Sequence, residues 1–194
     1  MIQVNAPLPG RAERCETGDM ADDHEHDPAC AAAHGRAPGG AGDRTLIAVF
    51  ASPVADFLVR FGAELGFRCL LLEPDPERAA VVAPDSAEMV TAPPSGLDGT
   101  ADVVVTDHHR PELGLVLRDL LSRRVRWIGV MGNPRHPGPH VRLLTELGVP
   151  AEDIARVHRP VGLNIGSRTP PEIAVATLAG LIADHNGRPG GFAF

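Results

Sequence analysis

A chain of 194 residues, 43% of them apolar, has room for one domain with an ordinary core plus an appendage. Its formal charge is −7, which weighs against a nonspecific nucleic-acid binder, and all 18 basic residues are arginine, which excludes a Walker A loop and a Schiff-base lysine. The absence of tyrosine removes a Tyr-Lys proton relay, three cysteines (Cys15, Cys30, Cys69) are too few for a disulfide scaffold, and no apolar run reaches the roughly 20 residues that span a bilayer. No apolar stretch behind a basic start marks a secretory signal, so a reducing cytoplasm is the expected compartment.

Residues 1–43 carry eight acids against three arginines and are rich in Ala, Gly, Pro and His. Such a segment buries too little surface to offset its ordering entropy, and a disordered tail is expected there. Cys15, His24, His26, Cys30 and His34 lie in it, but without the C-x-x-C or H-x-x-x-H pairings that structural zinc needs, and no metal site is assigned.

From Thr45 the pattern changes. Thr45–Phe50 reads as a strand. Val54–Leu65 reads as a helix with Phe57, Leu58, Phe61 and Leu65 on one stripe, and Gly66 ends it. Arg68–Glu73 is a second strand, so this opening forms a right-handed β-α-β unit. Glu88–Thr91 reads as a short edge strand and Asp102–Thr106 as a strand; a helix follows from Pro111 to about Arg123. Arg126–Met131 is the next strand, followed by helices from about Pro139 to Leu147 and over Ala151–Arg156. The last helix, Pro170–Asp184, opens on Thr169-Pro-Pro-Glu172, a capping box with proline at the first helical position. Regular alternation of strand and helix predicts a doubly wound α/β fold of Rossmann type over 44–187, with a mostly parallel sheet and a short tail over 188–194.

Ligands of such sheets bind at the carboxyl ends of the strands, where four segments fall. The first turn, Phe50-Ala-Ser-Pro-Val-Ala55, lacks the first two glycines of a dinucleotide fingerprint, and bulky Phe50 should block close approach of a pyrophosphate. Glu73 ends the second strand where a ribose hydroxyl would be received, but without the glycines NAD(P) is not expected. Thr106-Asp107-His108-His109 offers an acid and two imidazoles that could shuttle protons or simply cap a helix. Gly132-Asn-Pro-Arg135-His136 places arginine at a helix start, suited to an anion. The fourth segment, His158 to Glu172, gathers Gly162, Asn164, Gly166, Arg168 and Thr169 before the capped helix; free N–H groups, a positive dipole end and a guanidinium are expected to converge on phosphate or an oxygen-rich cofactor. Cys69, inside an apolar strand, reads as a small buried hydrophobe.

The run HRPVGLNIGSRTPPEIAVATLAGLIA resembles the signature of the xanthine dehydrogenase accessory (XdhC/CoxI) family, H-x-P-I-G-L-D-I-G-A-R-T-P-E-E-I-A. VVVTDHH and WIGVMGNPR are similar to that family's strands ending in Thr-His-Asp-His and Gly-Ser-Arg-Arg, and the likeness extends from Leu46 to Asn186. It departs in the Phe50-Ala-Ser turn, in the order Thr106-Asp-His-His109, in Gly132-Asn-Pro-Arg135, and in Asn164 where the family has Asp. The resemblance implies an accessory protein, more a cofactor carrier than an enzyme, with no catalytic residue assigned. It would bind molybdenum cofactor and assist its sulfuration and insertion into a molybdenum hydroxylase apo-enzyme. It would act beside a cysteine desulfurase and self-associate as a homodimer, with no nucleic-acid or membrane partner. The residues expected to hold the cofactor are Gly162, Asn164, Gly166, Arg168, Thr169, Gly132, Arg135, Asp107, His108 and His109. An NAD(P)-binding oxidoreductase or sensor and a ligand-free interaction module are the alternatives.

Overall fold

In a computed structural model of the chain, residues 44–81, 86–133 and 135–191 are described. The expected acidic tail over 1–43, with Cys15, His24, His26, Cys30 and His34, lies outside them. The elements, in order, are β1 (Thr45–Val49), α1 (Pro53–Glu64), β2 (Arg68–Leu72), α2 (Pro76–Val81), β3 (Glu88–Val90), β4 (Asp102–Val105), α3 (Leu113–Leu121), β5 (Trp127–Val130), α4 (Pro139–Glu146), α5 (Ala151–Ile154), β6 (Val157–His158) and α6 (Pro170–His185). Six strands form one sheet in the order β3-β2-β1-β4-β5-β6, and every neighbouring pair is parallel. This is the doubly wound order expected from the strand–helix alternation, with its switch point between β1 and β4.

Strand side chains alternate between the two faces, and both faces are buried. Ile47, Val49, Leu70, Leu72, Val103 and Val105 meet α3 and Leu144 of α4 on one side. Leu46, Ala48, Cys69, Leu71 and Val104 meet α1 and α6 on the other. Each fully buried aliphatic side chain contributes about 1.5–3 kcal/mol of transfer free energy, which is why these strands read as continuous apolar runs rather than as alternating ones.

Two elements were not legible as such: α2, one and a half turns long, and β6, whose two residues pair only as Ile128–Val157 and Gly129–His158. The helix expected from Pro111 begins two residues later, after a turn closed by the Leu113 amide donating to the Arg110 carbonyl. α1 starts one residue early because the Ser52 hydroxyl caps it, accepting the Ala55 amide at 3.1 Å, with Pro53 in the first turn. Among the described residues no helix is long and apolar enough to cross a membrane.

Candidate functional site

Beside the β1–β4 switch point, where a dinucleotide fold holds its ligand, the chain packs a cluster of its own side chains. Phe50 follows β1 with φ 70, a left-handed conformation uncommon for a bulky residue, and its ring is fully buried. The Arg110 guanidinium lies 4.8 Å from that ring centroid. Arg110 grips Glu73 with two nitrogens, at 2.7 and 3.2 Å, and the same carboxylate accepts the Ala51 amide at 2.9 Å and the Asp75 amide at 3.1 Å. Burial by itself would raise the Glu73 pKa, but the hydrogen bonds from Arg110 and the two amides, with the Arg110 charge, outweigh it and hold the carboxyl below its ordinary range. Glu73 is 0% exposed, so the expected ribose acceptor is consumed internally. A relay of hydroxyls links the turn after β1 to the end of β4: Ser52 donates to Thr106 at 2.9 Å, and Thr106 donates to the Phe50 carbonyl at 2.8 Å.

The open space lies beside this cluster, at the β1–α1 turn and the ends of β4, β5 and β6. A cavity of about 940 Å³ opens there, between the starts of α1 and α6. Val54, Thr106, His108, Gly132, Arg135, Asn164 and Arg168 line it, so all four segments singled out in the sequence meet in one place. Val54, Met131, Leu163 and Ile173 form its apolar wall. No carboxylate lines it, and among the described residues Arg135 and Arg168 have no acidic partner. The Asn133 side chain shapes the Gly132–Arg135 loop by accepting the Arg135 amide at 2.9 Å.

Several expected ligand residues do other work. The Glu172 carboxylate takes the Arg168 amide at 2.7 Å and the Thr169 amide at 3.2 Å. Two of the anticipated free N–H groups at the α6 start, those of Arg168 and Thr169, are therefore taken by Glu172, which leaves the Arg168 guanidinium as the charged group for an anion there. Gly162 reaches the cavity, but its glycine serves helix packing. It has φ 84, and a Cβ there would come within 2.9 Å of the backbone of Ala176 and Thr177. Gly166 and Thr169 do not line the cavity. Neither does Asp107, whose carboxylate turns the loop by accepting the His109 amide at 2.9 Å.

His109 stacks on His108, with centroids 4.0 Å apart, and faces a second cavity of about 730 Å³ on the α3–α4 side of the sheet. His108 and Asn133 border both cavities. Arg159, which the sequence did not single out, passes beneath the partition. It donates to the His136 carbonyl at 2.7 Å and the Asn133 carbonyl at 2.9 Å. Gly132 must lack a side chain because a Cβ there would lie 2.6 Å from the Arg159 guanidinium. Desolvation, then the His109 and Arg159 charges, hold the His108 pKa below its ordinary value, so the ring favours its neutral form. Cys69 is buried under α1 with its thiol pushed up to about 11 by desolvation, which makes it a poor nucleophile.

The model of the XdhC Rossmann domain matches residues 46–181. A solved structure described as a xanthine dehydrogenase from Bacillus halodurans is 26% identical and superposes with a TM-score of 0.60, covering 74% of this chain and 45% of that one. YqeB, an uncharacterized protein of Escherichia coli K12, is 43% identical over 75 residues, 39% of this chain and 14% of its own length. The chain thus spans less than half of either relative. A parallel sheet in the order 3-2-1-4-5-6, rim loops resembling the family's signature, and a domain match over most of the chain together place this protein in the XdhC family, through its Rossmann domain.

Proposed function

We propose that this protein is an accessory factor for molybdenum hydroxylases of the xanthine dehydrogenase or carbon monoxide dehydrogenase type, and that it binds molybdenum cofactor in the cavity at the ends of β4, β5 and β6. One observation supports this reading above others. In a chain of net charge −7, that cavity gathers two arginines without acidic partners and excludes carboxylates. Its volume falls in the usual range of small-molecule sites, and its lining divides between an apolar wall and polar side chains.

The residues present fit such a cargo. Arg135 and Arg168 would hold its phosphate through charge-assisted hydrogen bonds. Asn164 and Ser167 offer donors and acceptors for a heterocycle edge, and Val54, Leu163 and Ile173 a surface for its face. No cysteine lines the cavity, so the metal would keep the sulfur ligands it arrives with. Cys69, buried and high in pKa, is not suited to relay sulfur. Sulfuration would then fall to a partner cysteine desulfurase, and this chain's part would be to bind, orient and shield. A buried Phe50 in place of a glycine and a Glu73 already held by Arg110 weigh against a dinucleotide-dependent oxidoreductase.

The test is cofactor retention. The full chain is purified from a cofactor-replete host, and bound pterin is oxidised and assayed by fluorescence. Near-stoichiometric pterin is expected, with occupancy falling about tenfold or more in Arg168→Ala, since a lost charge-assisted hydrogen bond costs roughly 1.5–3 kcal/mol. A pterin-free unaltered protein overturns the reading.

A further inference from the structure

We propose that the second cavity, on the α3–α4 side of the rim, is a separate binding site for a compact phosphate-class anion. This goes beyond the cofactor reading and rests on different residues. His109, His136, Arg142 and Arg159 line the cavity from four separate segments: the loop after β4, the loop after β5, α4 and the end of β6. No carboxylate lines it. Arg110 also reaches it, but Glu73 already neutralises that charge.

Arg159 is the anchor. Both terminal nitrogens are spent on backbone carbonyls, so its position is fixed, yet no carboxylate among the described residues cancels its charge. Its Nε is buried without a partner, and so is Nδ1 of His140, which is 5% exposed and packs beside it at Gly138. Arg142 lies across the opening, held only by an exposed contact to Glu146 at 2.8 Å, one turn along α4. A surface pair of this kind is worth little and is readily shared with a ligand. The start of α4 has no side-chain cap, so its positive end adds to the same field. The depressed pKa values of His108 and His140, caused first by desolvation and then partly by the Arg159 charge, register that uncompensated field.

Donors from three segments, His109, His136 and Arg142, beside the fixed charge of Arg159, suit a tetrahedral oxyanion with divergent oxygens better than a planar carboxylate, which a single guanidinium fork satisfies. The chemistry is shared by free phosphate, pyrophosphate and a phosphate monoester, so the site is defined by the phosphate group.

The experiment is a calorimetric titration of the full chain with inorganic pyrophosphate, with citrate in a parallel arm. One binding event is expected, weakened about tenfold or more in His136→Gln and in Arg142→Gln and unchanged in Arg118→Gln, an exposed arginine of α3 outside both cavities. His136 and Arg142 are exposed, so these variants should fold, and a thermal melt verifies it. Absence of binding at millimolar pyrophosphate overturns the proposal. So does a loss that follows Arg168→Ala instead of the two second-cavity variants, because the anion then sits in the first cavity. Citrate binding without pyrophosphate binding overturns the phosphate class. The pterin assay can fail while this titration succeeds, and the reverse, so the two readings fall separately.

Discussion

Glu73 and Arg110 carry a large energetic consequence in two side chains. The carboxylate is fully buried and the arginine almost so, and four hydrogen bonds satisfy the acid. Removing one partner leaves an uncompensated buried charge, the costly way to break such a pair. Glu73→Gln is therefore expected to destabilise the protein by roughly 3–5 kcal/mol, read as a lower urea midpoint at unchanged slope. Replacing both partners with apolar residues of similar volume should restore most of that loss, because the pair's net worth is small even though each half depends on the other. A double variant as unstable as the single one would contradict this account. At this scale the sequence was informative about residue type more than residue role. Arg168, Arg135 and Asn164 read as ligand groups and do line a cavity. Glu73 read as a residue placed for a ribose hydroxyl, because its partner, Arg110, is 37 positions away and nothing local announces the pairing.

At the scale of elements, the fold brings the loop before α6 against that helix through paired glycines. A Cβ on Gly180 would lie 2.9 Å from Cα of Gly162. Helix propensity by itself says Gly180→Ala should stabilise α6 by up to about 1 kcal/mol. Overpacking of roughly 1–3 kcal/mol opposes this, so net destabilisation is expected. Gly162→Ala should cost more, about 2–4 kcal/mol, because its left-handed φ adds strain to the clash. Chemical denaturation of both variants checks the order, and a stabilised Gly180→Ala would refute the packing argument. The strands were plain in the sequence because a parallel sheet covered on both faces writes itself as runs such as TLIAV and DVVV. β6 was not, since two residues carry no periodicity and its pairing exists only because β5 offers an edge. The second cavity was half hidden. Two of its segments, Thr106–His109 and Gly132–His136, stood out as candidate loops, but nothing in the sequence joined them to Arg142 on α4 or Arg159 after β6.

For the whole molecule, two buried carboxylates pull the acid response in opposite directions. The folded Glu73 pKa lies below its unfolded value of about 4.3, so its stabilisation is present above that pH and is lost as pH falls through the lower folded value. Asp102, bonded to Arg126 at 2.6 Å, behaves oppositely. Desolvation raises its pKa in spite of the partner, so it costs stability at neutral pH, and that cost is relieved as pH falls through the raised value. Relative to the unaltered chain, Glu73→Gln should flatten the acid limb of the stability–pH curve and Asp102→Asn should steepen it, measured by urea titrations between about pH 3 and 7. Parallel curves for all three proteins would show that these sites do not set the acid response.

The Glu73–Arg110 pair at the end of β2 has a consequence for selectivity. A side chain tethered to its own backbone competes at an effective concentration that no free metabolite need match, and it never diffuses away. Any adenosine entering there would have to evict an arginine, separate a desolvated ion pair and leave both charges stranded. A ribose reaching for that carboxylate is therefore expected to bind weakly, however abundant the nucleotide that carries it.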